Sequence, residues 1–122
     1  MRAAAIRLVP EAAEDYLGLN GSVRLEVRAA LAKLQVDPRG YGEPLGNRAG
    51  INLFGFYSIR AGRRIRIIYS VDDKGDVLVR VIGRRERFEA HRAAQGRIHA
   101  YFDAAREELV GLQELLSAAG DG

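Results

Sequence analysis

With 122 residues, 48% of them hydrophobic, and a net charge of +3, the chain has the size and composition of one globular domain with a single core. It has no cysteine, which excludes a disulfide scaffold and a thiolate metal site and fits a reducing compartment. No apolar run approaches the roughly 20 residues of a membrane span, and the N-terminus lacks the basic and apolar regions of a secretion signal, so a soluble cytoplasmic protein with no membrane attachment is expected.

Ala4 to Val9 reads as a short strand with Ile6 and Leu8 on one face. Pro10 suits the first position of a helix that runs to Leu17, with Glu11 in its first turn. Gly18 to Gly21 interrupts the pattern, and Ser22 is placed to cap a second helix reaching about Val36. Val23, Val27, Ala30, Leu31 and Leu34 recur at helical spacing and form its apolar stripe, which Asp37 and Pro38 end. The two helices make a hairpin whose stripe needs an apolar partner. Residues 39–52 hold four glycines and a proline and predict a loop.

Three runs rich in β-branched and aromatic residues follow: Leu53 to Ile59, Ile65 to Val71 and Val77 to Ile82. The short turns AlaGlyArg and AspAspLysGlyAsp separate them, which predicts an antiparallel meander. Strict alternation puts Ile65, Ile67, Tyr69 and Val71 on one face with Tyr57, Ile59, Val77, Val79 and Val81. The opposite face carries Arg60, Arg66 and Arg80 with Ser58, Ile68, Ser70, Leu78 and Ile82. One face is thus an aliphatic core face that covers the helices, and the other is studded with arginine. Beyond residue 94, Ile98, Phe102, Ala105, Leu109, Leu112 and Leu116 repeat at the spacing of a heptad seam. They predict a C-terminal helix whose stripe folds back on the domain, joins two copies through residues 98–116, or fills a groove for a partner.

Charge is unevenly spread. Arg48 to Arg92 holds ten arginines and Lys74 against five acids, a net +6, whereas residues 93–122 sum to −3. Only Lys33 and Lys74 among the 19 basic residues are lysines, and arginine recognises phosphate in a planar, bidentate way that lysine cannot. A basic sheet face of this kind suits a polyanion.

The order strand, helical hairpin, meander carries several motifs. They are ProArgGlyTyrGlyGluProLeu at 38–45, PheTyrSerIleArg at 56–60, ArgIleArgIleIleTyr at 64–69 and ArgArgGluArgPheGluAlaHis at 84–91. Together these resemble the RelE/ParE superfamily of bacterial toxin components over residues 4 to about 94. The resemblance implies an α+β, RelE-like fold: an N-terminal strand and αα-hairpin packed on an antiparallel sheet. The toxin domain would span residues 1–94, followed by a helical extension over 95–122. It also implies an antitoxin partner and either of two activities, cleavage of mRNA in the ribosomal A site or, in ParE-like members, inhibition of DNA gyrase; an inactive, antitoxin-binding relative is the third class. By motif position, Arg60 matches the basic residue ending the first meander strand, Arg66 the arginine of the second and Arg85 the arginine after the last. His91 takes the place of a terminal tyrosine, and Ser58 stands where the pattern has a lysine.

Cleavage of RNA without a metal requires a base for the 2′-hydroxyl proton, cations for the phosphorane and an acid for the 5′-oxygen. Arginine supplies charge but is a poor proton carrier at neutral pH. The expected catalytic set is therefore Arg60 and Arg66 at the phosphorane, Arg85 clamping phosphate and His91, nominally near about 6.5, moving the proton, with Glu86 and Glu89 as further bases. Arg63, Arg64, Arg80, Arg84 and Arg87 are the expected RNA-backbone contacts. For each arginine a solvated residue or half of an ion pair is the competing reading. Tyr57 and Tyr69 belong to the core. His91 and His99 lack the further ligands of a metal site, so no metal and no cofactor are expected.

Overall fold

Six strands and three helices account for the residues described by the computed structural model, 3–48, 51–84 and 110–121. In chain order they are β1 (Ile6–Leu8), α1 (Pro10–Leu17), α2 (Gly21–Val36), β2 (Glu43–Arg48), β3 (Ile51–Ala61), β4 (Ile65–Val71), β5 (Val77–Arg84), β6 (Val110–Gly111) and α3 (Leu112–Ala118). The strands form one sheet in the order β2-β3-β4-β5-β1-β6. Only the β1–β5 pair is parallel; the others run antiparallel. An α+β fold with a hairpin of helices on a sheet is thus what forms, with β1 inserted beside the last meander strand.

The helices start where local chemistry provides for their free N–H groups. Pro10 opens α1, where a missing N–H costs nothing. Asn20, not Ser22, caps α2: its Oδ1 accepts from the Val23 N–H at 3.0 Å, and Ser22 donates its hydroxyl to the same oxygen at 2.8 Å. The α2 stripe is buried as its spacing requires, with Val27, Leu31 and Leu34 wholly inaccessible. Each such side chain contributes about 1.5–3 kcal/mol through area removed from water. They meet Ile59, Ile65, Ile67, Tyr69, Val77 and Val79 in one core. The Asp15 carboxylate accepts the Ile82 N–H at 3.1 Å and so fixes α1 along β5.

Residues 43–48 are a strand rather than a loop. Pro44 is tolerated because β2 lies at the sheet edge, where an absent N–H breaks no ladder bond. Opposite it, the register slips around Leu45, and Gly46 and Gly55 take positive φ values of 59° and 88° there.

Strict alternation also fails in β5. Ile68 pairs with Val81 and Tyr69 with Val79, leaving Arg80 as the extra residue of a β-bulge. The bulge exchanges the faces of the residues after it. Ile82 joins the helix-facing core, while Val81, expected there, lies on the opposite face beside Ile68; both are almost fully buried. Arg84 turns with Ile82 toward the helix side at the sheet rim. Arg80 itself is 6% exposed. Its Nε and Nη2 donate to Ser70 Oγ at 3.4 and 3.3 Å, and its guanidinium lies 5.4 Å from the centre of the Phe56 ring.

The C-terminal stretch departs from a single heptad helix. Val110 and Gly111 pair antiparallel with β1, and α3 begins only after them. Leu115 enters the core, with Leu112, Leu116 and Ala119 packed against it. The fold-back role is therefore the one that residues 112–119 take; residues 98–109 of the seam lie outside the described residues. Asp121 closes the arrangement. Its Oδ2 accepts from the Tyr16 hydroxyl at 2.5 Å and from Arg24 Nε at 3.0 Å, and its carbonyl accepts from Arg28 Nη1 at 2.8 Å.

Two outcomes are expected. The Tyr16 hydrogen bond and the Arg24 and Arg28 charges hold the Asp121 carboxyl below its ordinary 3.8, against the opposing effect of burial. Burial first, and Asp121 second, push the Tyr16 hydroxyl up from 10.0 to about 12. A depressed carboxyl stabilises above its unfolded value and loses that contribution as pH falls through the folded one; a raised hydroxyl loses its contribution as pH rises from 10.0 through about 12. In urea titrations, the stability difference between the wild type and Asp121→Asn is therefore greatest at about pH 5 to 9 and closes on the acid side. Arg80→Ala, which removes a buried stem and leaves Ser70 and Phe56 facing a void, lowers stability by about 2–4 kcal/mol in the same assay.

Candidate nucleic-acid interface

The β3–β4 register builds the site. Arg60 lies opposite Arg66, Ile59 opposite Ile67 and Ser58 opposite Ile68. Arg60 and Arg66 therefore stand side by side on the sheet face turned away from the helical hairpin, near the β3–β4 turn. On its other side Arg66 faces Gly83 of β5, which sets no side chain of its own against it. Arg60 is exposed and Arg66 half-buried, above a floor of buried Ser58, Ile68 and Val81. Like charges opposite one another on neighbouring strands destabilise a sheet. An anion held between two guanidiniums reverses that sign through charge-assisted, bidentate hydrogen bonds.

Beside this pair, the connection from α2 to β2 is held in one shape. Gly40 N–H donates to Asp37 Oδ1 at 3.0 Å and Tyr41 N–H to the Asp37 carbonyl at 3.3 Å. From below, the Tyr69 hydroxyl donates to the Pro38 carbonyl at 2.6 Å, while the Tyr69 ring stacks on Tyr57 with centroids 5.6 Å apart. Burial, followed by the nearby Tyr57 and Asp37, drives the Tyr69 hydroxyl well above the ordinary tyrosine range, so it remains a donor at any physiological pH. Gly42 passes directly over that hydroxyl, and a Cβ there would overlap it. The loop consequently presents Tyr41, 54% exposed, with the Lys33 ammonium 6.0 Å from the ring centre. Lys33, Tyr41, Glu43, Ser58 and Arg60 line a depression of about 340 Å³.

The expected contacts do not all converge. Arg63 and Arg64 are exposed in the β3–β4 turn and line a different depression, about 560 Å³, with Asn20, Ser22 and Glu26 of the α2 start. Gly62 in that turn has φ 64° and abuts the Glu26 carboxylate, which places the turn against α2. Arg84 is exposed at the rim but on the helix side. Arg80, expected as an RNA contact, is instead buried against Phe56 and Ser70, because the bulge gives it a place beneath the surface. Arg85, Arg87 and His91 lie outside the described residues. Lys33, Tyr41 and Glu43 were not among the expected contacts, although the motif at 38–45 holds two of them and GlyTyrGly is a signal of a turn presenting its central ring. Among the described residues, no group of three or more His, Cys, Asp or Glu is arranged to hold a metal ion.

No protein-family model and no curated protein matches the sequence. Solved structures do. A doubly substituted arginine mutant of the E. coli toxin RelE, in the free state, superposes with a TM-score of 0.60 at 23% identity, covering 80% of this chain and 99% of RelE. The YoeB–YefM complex from Staphylococcus aureus gives a TM-score of 0.51 at 26% identity, covering 67% of this chain and 97% of the matched one. In its helical hairpin and its sheet, the chain has the RelE-like fold and is similar in structure to the RelE and YoeB toxins.

Proposed function

We propose that the chain is the toxin of a toxin–antitoxin system and acts as a metal-independent endoribonuclease on mRNA in the ribosomal A site. The observation that carries this reading is the cross-strand pairing of Arg60 with Arg66, the first exposed and the second half-buried. The similarity to RelE and to the YoeB–YefM toxin–antitoxin complex supports it, and the second of these also supports an antitoxin partner. No helix among the described residues is long and apolar enough to cross a membrane, in keeping with a cytoplasmic site of action.

In this mechanism the 2′-oxygen of the nucleotide attacks phosphorus while the P–O5′ bond breaks, giving a 2′,3′-cyclic phosphate and a 5′-hydroxyl. Arg60 and Arg66 straddle the non-bridging oxygens, where negative charge accumulates in the phosphorane. A base takes the 2′-hydroxyl proton and an acid supplies the 5′-oxygen. His91 is assigned to one of these transfers. Glu43, opposite Ser58 in the register and lining the depression with Arg60, serves as a second proton acceptor. Arg85 clamps the substrate phosphate, and Arg63, Arg64, Arg84 and Arg87 contribute field along the backbone path.

Arg60→Ala and Arg66→Ala each lower the cleavage rate by about 10²–10³-fold, read by primer extension on mRNA from translating ribosomes. Arg60→Ala, at an exposed position, leaves the unfolding free energy within about 0.5 kcal/mol of the wild type. His91→Ala gives a loss of about 10²-fold or more; undiminished cutting removes His91 from the mechanism. Intact mRNA together with blocked gyrase supercoiling would replace this reading with the gyrase-inhibitor alternative.

A further inference from the structure

The geometry points to a second subsite: the base of the nucleotide next to the scissile linkage stacks on the exposed ring of Tyr41 beside Lys33, while Arg60, at the other side of the same depression, keeps the scissile phosphate. This inference rests on the nuclease reading and adds to it a place where single-stranded RNA is gripped away from the bond that breaks.

Three observations carry it. The first is presentation. An aromatic ring 54% exposed stands on a loop whose backbone is tied by Asp37 through Gly40 and Tyr41 and by Tyr69 through Pro38. A loop ordered in advance loses little backbone freedom when a base stacks on it. The second is the ring's own surroundings. The Lys33 ammonium sits 6.0 Å from the ring centre. The ring is thus attended by a cation and still more than half exposed to a planar partner. The third is charge. Lys33 from α2 and Arg60 from β3, far apart in sequence, line the same depression of about 340 Å³ with Tyr41 and the Glu43 carboxylate, so a cation attends the ring while Arg60 and Glu43 face the reacting linkage from the same space. Cations that follow the backbone, with an aromatic platform beside them, make the usual arrangement for single-stranded nucleic acid, tolerant of sequence because every base has a π-face. Lys33 also brings an ammonium to the depression that Ser58 floors, which contains no other lysine.

The test is single-turnover cleavage of mRNA on programmed ribosomes with toxin in excess, yielding a half-saturating toxin concentration and a maximal rate. Tyr41→Leu and Lys33→Gln each raise the half-saturating concentration by about tenfold, with the maximal rate changed by less than about twofold. Tyr41→Phe, which keeps the ring, restores the affinity lost in Tyr41→Leu. Both positions are exposed, and equal thermal melting verifies that the variants fold. An abasic nucleotide placed beside the cut weakens the wild type as much as Tyr41→Leu does and adds nothing to that variant. An unchanged half-saturating concentration, a loss confined to the maximal rate, or additive losses at every flanking position overturns the subsite while wild-type cleavage keeps the nuclease reading intact. A wild type that leaves mRNA uncut overturns both.

Discussion

A sheet that must bury both of its faces cannot be built from strict alternation of apolar and polar residues, and the bulge at Arg80 is how this chain meets that constraint. One extra residue in β5 lets Val79 and Ile82 face the helices while Val81 faces the other way with Ile68. The consequence reaches the site. Gly83, rather than Ile82 or Arg84, falls beside Arg66, so β5 sets no side chain against it at that position. Had the alternation continued unbroken, Arg84 would share the face of Arg60 and Arg66, and Ile82 would be lost from the helix-facing core.

The site itself joins two kinds of order. The Arg60–Arg66 pair owes its geometry to ladder register, which a one-residue slip would abolish by turning one partner over. The Tyr41 loop owes its geometry to a buried phenol, since Tyr69 belongs to the core by its ring and to the loop by its hydroxyl. Core packing and site shape are thereby coupled in one residue, and the stacked Tyr57 beneath β2 continues that coupling to the sheet edge.

Most of the architecture was legible in the residues. The helical stripe of Val27, Leu31 and Leu34, the three strands between short Gly and Asp turns, and the aliphatic face of Ile65, Ile67 and Tyr69 all appear where periodicity puts them. What escaped has physical causes. In the run from Val77 to Ile82, nearly every residue is apolar, so alternation gives no mark of a slipped register, and a buried arginine reads like an exposed one. Pro44 and Gly46 argue against a strand until β2 is known to be an edge. The heptad seam crosses Gly111 without a break in spacing, whereas the backbone there turns extended to pair with β1. At the site, the arginine pair followed from parity, but Lys33 and Tyr41 meet because the turn at Asp37 folds the loop back beside the last turn of α2, which helical spacing alone does not encode.

The contacts of Asp121 join residues 97 and 105 positions apart in sequence, and β6 lies against a strand made about a hundred residues earlier. During synthesis at about 5–20 residues per second, the outer edge of β1 and the core beneath Leu115 stay uncovered for several seconds after the hairpin and meander have emerged. In that interval the nascent chain exposes an open strand edge able to recruit any extended segment, its own or another's. The order of translation therefore gives a time-limited opening for strand exchange that the finished domain no longer offers.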